Sequence, residues 1–588
     1  MKRISLFIII FIVSKVVLFA QGGGIASIVT NGQESFMDKS PDSLKTVCVG
    51  PHEVTLTWNA VQDAVSYDIY KEGTFYQSTD KNISKIGGLQ SFDVYYFSVK
   101  AKNASGAYSK ESEKLYIATT ETKEQKDERM AWWREAHFGM FITWGAYSAL
   151  GGHYSGPTLL KKDPAHPWIK EDGVIEDYYS CVHPNWIAPD GSIKINPTTG
   201  KPYESGQYSE WIMFGAQIPR DEYLKRAKES FKAEKFNAKE WVRMAKDAGM
   251  KYIVITSKHH DGITFLNTPV GHTVFKDTDI RRDLLKELVD EVRAAGLKIG
   301  FYYSQALDWT NPGGMGWIPQ NDTPNKEASY EDRAKYTDEI VIPHLRTIIE
   351  DYKVDLLWWD MGISSTPEFK YRMMKSIKNL PGTQRLIFND RMEDKLTGDF
   401  KTPEQSIPDM PSNGDGTDWE TCMTLNDNWG YAAHDTRWKT TTDVLQKLID
   451  ITSKGGNYLL NIGPKANGTF PIESENRLAE ISTWMKVNGE AIHGTKASPF
   501  IHQLDWGRAT RKEINGKHVL YLHVFTQHWP KDGQLFVPNF GSDIKKAYLL
   551  KDSKKKVLNV KKAGDNHIFS IPLNAPDSIS TTIVVETL

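Results

Sequence analysis

Asp360 is the residue around which the other candidate site residues can be arranged. It ends the largely apolar run 354–359, which predicts a buried strand of a parallel sheet. Because side chains alternate along a strand, Trp358 and Asp360 are expected to point to the same face. A carboxylate at the C-terminal end of a barrel strand, beside an indole, is well placed for chemistry. The structural alternative is an Asp that caps the next helix.

Polar and aromatic side chains also follow the other predicted strands of this region. They occupy the segments 258–262, 301–309, 389–391 and 398–404. The carboxyl ends of barrel strands meet at one rim, so these side chains are expected to face one cleft. The sequence contains neither a nucleophile elbow nor a Ser-His-Asp arrangement. Two carboxylates among such side chains suit glycoside hydrolysis, in which one is nucleophile or base and the other is the acid.

The adjacent residues His259 and His260 raise the alternative of a metal site. Neighbours on a strand point to opposite faces, and neither an acidic helix partner nor a cysteine completes a set of ligands. The cysteines, at positions 48, 181 and 422, are scattered and lack metal-ligand spacing. Hydrogen bonding to substrate hydroxyls is therefore the favoured role of both histidines, and no metal or other cofactor is expected.

The composition is that of a soluble globular protein with several domains. A length of 588 residues predicts about two to four domains. The formal net charge of −2 gives no indication of a nucleic-acid partner. The 18 Trp and 25 Tyr residues are compatible with a carbohydrate ligand, because sugar rings stack their C–H faces on aromatic rings. The sequence leaves the oligomeric state open.

Residues 1–20 have the pattern of a signal peptide. Basic residues precede the apolar runs 6–13 and 16–20, and a glycine-rich stretch follows. A signal anchor is the alternative, but Ser14 and Lys15 interrupt the apolar region. No other apolar run approaches the length that spans a bilayer. We therefore expect an exported protein, periplasmic or secreted, without a membrane span.

Three folded regions are predicted after that segment. Residues 42–120 hold short alternating strands, which predict a β-sandwich that resembles a fibronectin type III module. Residues 125–492 alternate strands with amphipathic helices, which predicts a (β/α) TIM-like barrel. Residues 493–588 return to alternating strands and predict a second β-sandwich. A doubly wound fold is disfavoured, because no Gly-rich phosphate loop follows the first barrel strand.

The elements of the barrel are predicted from apolar periodicity. Helices are expected at 237–248 and 282–295, each followed by a C-capping glycine, and at 472–488. Residues 150–208 are rich in Gly and Pro and have little periodicity, which predicts a functional loop or an active-site lid. The expected strands are 138–144, 252–256, 298–303, 354–359, 386–389 and 458–462.

Between about residues 132 and 495 the sequence resembles the α-L-fucosidases of glycoside hydrolase family 29. The C-terminal β-region also fits the layout of that family. No single motif is decisive, but so many in the same order are specific. The matching motifs are His137-Phe-Gly-Met-Phe-Ile-Thr-Trp-Gly145, Ser209-Glu-Trp211, Lys258-His-His-Asp-Gly262, Phe301-Tyr-Tyr-Ser304, Leu357-Trp-Trp-Asp360, Asn389-Asp-Arg391, Trp419-Glu420, Trp429-Gly-Tyr431, Gly455-Gly-Asn-Tyr-Leu-Leu-Asn-Ile-Gly-Pro464 and Asn488-Gly-Glu-Ala-Ile492.

The resemblance implies an exo-acting, retaining hydrolase that releases terminal α-L-fucose from glycans by double displacement. It implies that Asp360 is the nucleophile. Tyr303 is expected to face away from the site, because it alternates with Tyr302. The substrate-binding residues that the resemblance implies are Glu210, Trp211, His259, His260, Tyr302, Trp358 and Arg391. For each of these residues, the structural alternative is support of the core or of the site.

Two glutamates compete for the role of acid/base. The segment from Asp399 to Glu404 resembles the family motif that carries this residue, so Glu404 is preferred. Glu420 stands in a more regular stretch of sequence. Binding of the substrate and bracing of the pocket are its alternative roles.

Thr143 departs from the family pattern. Family members normally have a His in this slot, where it contacts the axial 4-hydroxyl of fucose. The shorter Thr predicts weaker discrimination for fucose, unless a neighbouring His such as His153 substitutes for it. An α-L-glucoside or an α-L-galactoside is therefore the alternative substrate. A catalytically inactive sugar-binding protein is less favoured, since it would not need two paired carboxylates.

Overall fold

The structure is a computed structural model that describes most of the chain. It covers residues 35–160, 173–181, 207–319, 328–393, 398–409, 417–500, 502–514 and 516–588. The predicted signal peptide and much of the predicted lid lie outside the described residues. In the described part of the chain, no helix has the length and apolar character needed to cross a bilayer.

The first region forms two antiparallel sheets. Trp58, Tyr67 and Val99 belong to a single apolar cluster, to which strands of both sheets contribute. The strands are β1 (Lys45–Val49), β2 (Val54–Thr57), β3 (Ala64–Lys71), β4 (Thr74–Thr79), β5 (Ile83–Ile86), β6 (Val94–Asn103) and β7 (Leu115–Ala118). One sheet has the order β1-β2-β5 and the other has the order β4-β3-β6-β7. The short segments in which polar and apolar residues alternate are therefore strands, as the sequence predicted.

The middle of the chain is built on a parallel sheet. Its strands and the short strands beside them are β8 (Phe138–Ile142), β9 (His153–Pro157), β10 (Val174–Tyr179), β11 (Tyr252–Lys258), β12 (Ile263–Thr264), β13 (His272–Thr273), β14 (Lys298–Ser304), β15 (Leu356–Asp360), β16 (Ile387–Phe388), β17 (Glu420–Thr424) and β18 (Asn457–Ile462). The order β16-β15-β14-β11-β8-β18-β17 is parallel throughout. All six predicted barrel strands are present, with ends shifted by up to two residues. Strand β17 was not predicted.

Residues 399–405, which we call the closing segment, link the two edges of this sheet. The backbone N–H of Asp399 donates to the carbonyl of Phe388 at the end of β16, at 2.8 Å. The N–H of Gln405 donates to the carbonyl of Cys422 on β17, at 3.0 Å. Because this segment bonds to both edges, the curled sheet takes the form of a TIM-like barrel.

Helices cover the outside of the parallel sheet. The α-helices are α1 (Lys123–Ala136), α2 (Ile212–Gly215), α3 (Arg220–Ser230), α4 (Ala238–Asp247), α5 (Val274–Asp277), α6 (Leu284–Ala294), α7 (Tyr330–Tyr336), α8 (Ile342–Thr347), α9 (Pro367–Lys378), α10 (Thr441–Ser453) and α11 (Ile472–Asn488). The predicted helices at 237–248, 282–295 and 472–488 are confirmed as α4, α6 and α11. Asn237 and Asp283 cap α4 and α6 by accepting a hydrogen bond from the third backbone N–H of each helix.

The last region again consists of antiparallel strands. They are β19 (Gly507–Ile514), β20 (Lys517–Phe525), β21 (Gln534–Val537), β22 (Ile544–Leu549), β23 (Val560–Ala563), β24 (Asn566–Ser570) and β25 (Ser580–Thr587). One sheet has the order β19-β20-β25-β22 and the other has the order β21-β24-β23. Leu522, Leu535 and Phe569 are fully buried members of one apolar cluster that both sheets contribute to.

The turn after β15 explains why a glycine follows the aspartate. Met361 has a left-handed backbone, with φ of 56°, so the chain turns directly after Asp360. A Cβ atom on Gly362 would lie 2.2 Å from the carbonyl oxygen of Met392 and 2.4 Å from that of Arg391. Only glycine fits so close to that backbone. The turn after β15 therefore packs closely against the segment that carries Arg391.

Gly362→Ala is expected to lower the thermal unfolding midpoint and the activity together. The added methyl group meets backbone atoms, which cannot rotate away, and overpacking of this kind costs about 1–3 kcal/mol. Gly87→Ala is the matched control, because a Cβ atom there has no neighbour within 4 Å. Thermal unfolding and turnover of both variants test the prediction. An unchanged Gly362→Ala protein would contradict it.

Candidate active site

A cavity of about 210 Å³ opens at the carboxyl ends of the barrel strands. It is smaller than the roughly 300–1,000 Å³ typical of pockets for drug-sized ligands, so its size suits one sugar ring better than a long chain. Of the eleven predicted site residues, ten line it, and Glu420 does not. The lining residues are Phe141, Thr143, Gln207, Tyr208, Glu210, Trp211, His259, His260, Tyr302, Trp358, Asp360, Met361, Arg391, Glu404, Cys422 and Trp429.

Asp360 is held at the end of β15 by hydrogen bonds to three other residues. The hydroxyl of Tyr302 donates to its Oδ2 at 2.7 Å, and Nη1 of Arg391 donates to its Oδ1 at 3.0 Å. Its backbone N–H donates to Oε1 of Gln305 at 3.1 Å. The side chain retains 12% of its exposure, so the carboxylate is oriented and still open to the cavity.

Arg391 connects the two candidate catalytic carboxylates. While Nη1 binds Asp360, Nη2 of the same guanidinium donates to Oε2 of Glu404 at 2.7 Å. The guanidinium also lies over the ring of Trp358, with Cζ 4.6 Å from the ring centroid. Because one planar group contacts both acids, Asp360 and Glu404 lie on adjacent sides of the cavity. The Glu404 side chain is 38% exposed and is the more open of the two.

The histidine pair lies between Asp360 and the wall of aromatic rings. Nε2 of His260 is 3.6 Å from Oδ2 of Asp360, and its Nδ1 is hydrogen-bonded to Oγ of Ser304 at 2.7 Å. Burial lowers the pKa of both His259 and His260 well below the usual value, so both imidazoles are neutral at physiological pH. A neutral imidazole has one donor and one acceptor, which suits a sugar hydroxyl.

Nδ1 of His259 is buried and has no hydrogen-bond partner within the described protein. Its ring stacks on that of Tyr302, with centroids 5.3 Å apart and an angle of 10° between the planes. A buried ring nitrogen without a partner costs free energy unless a ligand supplies one. His259 is therefore prepared for a ligand. In the described part of the chain, no three His, Cys, Asp or Glu side chains approach closely enough to hold a metal.

The walls of the cavity are aromatic. The ring of Tyr302 stacks on that of Trp358 with centroids 5.6 Å apart. Trp211 meets His260 edge to face at 4.9 Å. Tyr303 points the other way, as expected from strand alternation, and its hydroxyl contacts Nδ1 of His344 at 3.0 Å. The polar groups of the site therefore lie beside aromatic surfaces that suit the C–H faces of a sugar.

Glu210 is a buried carboxyl group in the same cavity. Its Oε2 accepts a hydrogen bond from the backbone N–H of Gly430 at 2.9 Å. Burial raises the pKa of Glu210 from 4.5 to about 7. Near neutral pH this side chain therefore exists in both protonation states and can accept or donate a hydrogen bond to a ligand.

Glu420 lies beneath the cavity and is fully buried. Nε1 of Trp358 donates to its Oε1 at 3.0 Å, and the hydroxyl of Tyr252 donates to its Oε2 at 2.5 Å. Burial raises its pKa from 4.5 to about 7. This geometry fits the bracing role among the alternatives for Glu420, because it fixes the indole of Trp358 and the described lining of the cavity does not include it.

Thr143 lines the cavity, and its hydroxyl is already engaged. Oγ1 donates to Oδ1 of Asn461 at 2.6 Å, so only its acceptor lone pairs remain for a ligand. His153 is not among the described residues that line the cavity, and its ring lies 4.6 Å from that of Tyr179. The expectation that His153 substitutes for the family histidine is therefore wrong for this arrangement.

Several lining residues were not predicted from the sequence. Trp429 and Phe141 stood inside the quoted motifs, and their aromatic character was the available signal. Gln207 and Tyr208 lie at the end of the Gly/Pro-rich stretch, where no periodicity predicted their position. Cys422 lies on the unpredicted strand β17, with Sγ 3.8 Å from Nη2 of Arg391. Tertiary contacts alone bring these residues to the site.

Comparison with known proteins identifies similar sequences and folds. A family model described as Alpha-L-fucosidase matches residues 104–490. The alpha-L-fucosidase of Dictyostelium discoideum is 27% identical over 457 residues, which are 76% of this chain and 88% of that protein. The structure of alpha-L-fucosidase isoenzyme 1 from Paenibacillus thiaminolyticus is 28% identical, with a TM-score of 0.60, and covers 79% of this chain and 100% of that one.

A further similar structure captures a reaction intermediate. It is a GH29 alpha-L-fucosidase from Bacteroides thetaiotaomicron, trapped as a covalent intermediate with 2-fluoro-fucosyl fluoride in a Glu-to-Gln mutant. It is 26% identical, with a TM-score of 0.59, and covers 79% of this chain and 96% of that one.

The buried Glu420 is expected to make stability depend on pH. A carboxyl whose pKa is raised in the folded state stabilises the fold fully below the unfolded pKa, and this contribution is lost as pH rises through the folded pKa. With a shift from 4.5 to about 7, the loss between pH 5 and pH 8 is about 2–3 kcal/mol. Glu420→Gln should therefore lose less stability than the wild type over that interval.

Unfolding in denaturant at several pH values measures this difference. Glu331→Gln changes an exposed glutamate and is the control, which should follow the wild-type profile. Parallel profiles for the wild type and Glu420→Gln would show that burial does not keep this carboxyl partly protonated.

Proposed function

The chain belongs to the alpha-L-fucosidase family, and on this premise we propose that it is an exo-acting, retaining glycosidase that releases terminal α-L-fucose from glycans. The family model covers residues 104–490, which include every described residue that lines the cavity. One observation carries the assignment of the catalytic pair: a single guanidinium, that of Arg391, contacts both Asp360 and Glu404.

The proposed reaction has two displacements at the anomeric carbon. In the first, an Oδ atom of Asp360 forms a bond to this carbon while the bond to the leaving oxygen breaks, and Glu404 gives its proton to that oxygen. In the second, Glu404 takes a proton from water as the water oxygen attacks the same carbon and releases Asp360. Retaining enzymes hold the two carboxyl groups about 5–5.5 Å apart, and a shared guanidinium favours such a short separation.

The other residues have roles in binding and orientation. Tyr302 and Arg391 orient the nucleophile, as their contacts with its two oxygens indicate. His259, His260 and Glu210 offer hydrogen-bonding groups to the sugar hydroxyls, and Trp211 and Trp358 offer aromatic surfaces. Glu420 supports Trp358 from below. Thr143 offers an acceptor at the position where the family normally has a histidine.

The division of the chain follows the same proposal. A signal peptide at 1–20 would direct export to the periplasm or the exterior, which suits an enzyme that acts on glycans. A fibronectin type III-like module at 42–120 and a β-sandwich at 493–588 flank a catalytic barrel at 125–492. The pairs of antiparallel sheets on either side of the parallel sheet support this division.

Asp360→Ala is expected to abolish turnover and leave a folded protein. Removal of the carboxylate removes the atom that forms the glycosyl bond, while the neighbouring Tyr302 and Arg391 stay exposed to the cavity. A 2-fluoro-fucosyl fluoride should label the wild-type protein on the peptide that contains Asp360, as seen by mass spectrometry. Proton NMR of the first product should show the retained anomer, and an inverted first product would refute the mechanism.

Glu404→Gln is expected to slow substrates with poor leaving groups far more than activated aryl fucosides. Only a poor leaving group needs the proton, and general acid catalysis is worth about 10²–10⁴-fold. Azide should partly restore the activity of Glu404→Gly on activated substrates. Glu420→Gln is the matched control, and if it shows this pattern while Glu404→Gln does not, the two roles must be exchanged.

Thr143→His tests the alternative that this site prefers another L-sugar. The measured quantity is kcat/KM for aryl α-L-fucoside, α-L-glucoside and α-L-galactoside in both proteins. An added imidazole supplies a hydrogen bond worth about 0.5–1.5 kcal/mol, so the preference for fucoside should rise about two- to tenfold. A strong preference for fucoside in the wild type that the substitution does not change would show that Thr143 does not set specificity.

A further inference from the structure

The closing segment carries Glu404 at its far end and is anchored at its near end by Asp399. The backbone N–H of Asp399 donates to the carbonyl of Phe388, and its Oδ2 accepts the N–H of Phe388, each at 2.8 Å. Asp399 thus bonds to both backbone polar groups of Phe388, through its own amide and through its carboxylate. Between this anchor and Glu404 there are four residues, so a shift of Asp399 moves the acid.

Arg129 of α1 holds Asp399 in this position. Its Nη1 donates to Oδ2 of Asp399 at 2.7 Å, and its Nη2 donates to Oδ1 at 2.6 Å, which is a bidentate ion pair. Nη1 also donates to the carbonyl of Leu386 at 2.8 Å, directly before β16. The side chains of Arg129 and Asp399 are only 3% and 7% exposed, so solvent screens this pair weakly.

The region before the barrel completes the surroundings of Arg129. Nε donates to Oε1 of Glu121 at 2.9 Å, and Nη2 donates to Oε2 of the same residue. All five N–H groups of the guanidinium therefore have acceptors. The ring of Phe92 lies 4.6 Å from Cζ of Arg129, and Phe92 keeps a left-handed φ of 56° in that place. A bulky residue in this conformation persists only where its surroundings require it.

A second arginine of α1 acts on the other side of the closing segment. Nε and Nη2 of Arg134 donate to the two carboxylate oxygens of Asp418, each at 2.8 Å. The carbonyl of Asp418 in turn accepts the N–H of Lys401, at 2.9 Å. Between these two contacts, Phe400 stacks on Trp133 of α1, with ring centroids 4.6 Å apart. One helix therefore fixes the start of the closing segment from three directions.

We infer that Arg129, through its ion pair with Asp399, is a positioning residue for the acid/base Glu404, and that Glu121 and Phe92 of the preceding region complete its site. Arg129 and Asp399 do not line the cavity in the described structure, so they act through the closing segment and not on the substrate. The inference rests on the proposed role of Glu404. A displacement of about 1 Å in a catalytic group can cost about 10²-fold in rate. Weakening the ion pair between Arg129 and Asp399 is therefore expected to slow acid catalysis by Glu404.

The test uses the full-length protein with Asp399→Asn and Arg129→Lys. Asp399→Asn keeps the size of the side chain, Arg129→Lys keeps the positive charge, and both weaken the bidentate pair. The readout is the ratio of kcat/KM for an activated aryl fucoside to that for a fucoside with a poor leaving group. Since only the second substrate needs the acid, we expect this ratio to rise about tenfold in each variant. Glu121→Gln, which disturbs only the outer contact of Arg129, should raise the ratio less.

A purely structural role would change the thermal midpoint or lower both rates equally, and either result without a change in the ratio would overturn the inference. Asp450→Asn is the matched control. It weakens the ion pair of Asp450 with Arg508, at 2.5 Å and with side chains 17% and 18% exposed, which connects α10 to β19. This variant should leave the ratio at the wild-type value.

Glu404→Gln, measured beside these variants, separates the two proposals. If Glu404→Gln does not raise the ratio, the assignment of the acid fails, and the inference about Arg129 fails with it. If Glu404→Gln raises the ratio and Asp399→Asn does not, only the positioning role is overturned. In the double variant, Asp399→Asn should add nothing to the ratio of Glu404→Gln, because Asp399 acts through that residue.

Discussion

A parallel barrel cannot close unless both of its edge strands find partners, and in this protein the edge strand β16 has only two residues. The closing segment meets this constraint by bonding to β16 at one end and to β17 at the other. It does so without forming a regular strand, so side-chain contacts supply part of what a ladder of backbone hydrogen bonds normally supplies. Asp399 is the clearest case, since its carboxylate and its amide both bond to Phe388.

The same segment brings a charged side chain to the rim of the cavity. Glu404 would be one more exposed carboxylate if Arg391 did not reach it, and Arg391 would be an unpaired cation beside the aromatic wall without Asp360 and Glu404. The three groups therefore stabilise one another in a partly buried place, where an ion pair is less screened than at the surface. Closure of the barrel and assembly of the site depend on the same stretch of chain.

Burial sets the protonation of the groups around this charged centre. Glu210 and Glu420 are raised in pKa to about 7, and both receive hydrogen bonds from fixed donors. His259 and His260 are lowered well below the usual value. Desolvation disfavours the charged form of each group. The guanidinium of Arg391 stays charged beside these groups, between the carboxyl groups of Asp360 and Glu404.

The type of each barrel element could be read from the sequence, because apolar periodicity and capping residues are local signals. For this reason β15 and α11 were predicted within two residues of their observed ends. Alternation along a strand likewise placed Trp358 and Asp360 on one face and Tyr303 on the other. The resemblance to the family, carried by motifs in the same order along the chain, predicted ten of the sixteen residues that line the described cavity.

The sequence by itself therefore determined the succession of strands and helices, the carboxylate at the end of β15 and the likeness to one family of hydrolases. Only the tertiary structure decided that Glu404 meets Arg391, that Glu420 lies below the cavity and that His153 lies outside it. The physical reason is that these outcomes depend on contacts between residues far apart in the chain. Local propensity carries no information about such contacts, and an irregular segment such as 399–405 acquires its conformation from them.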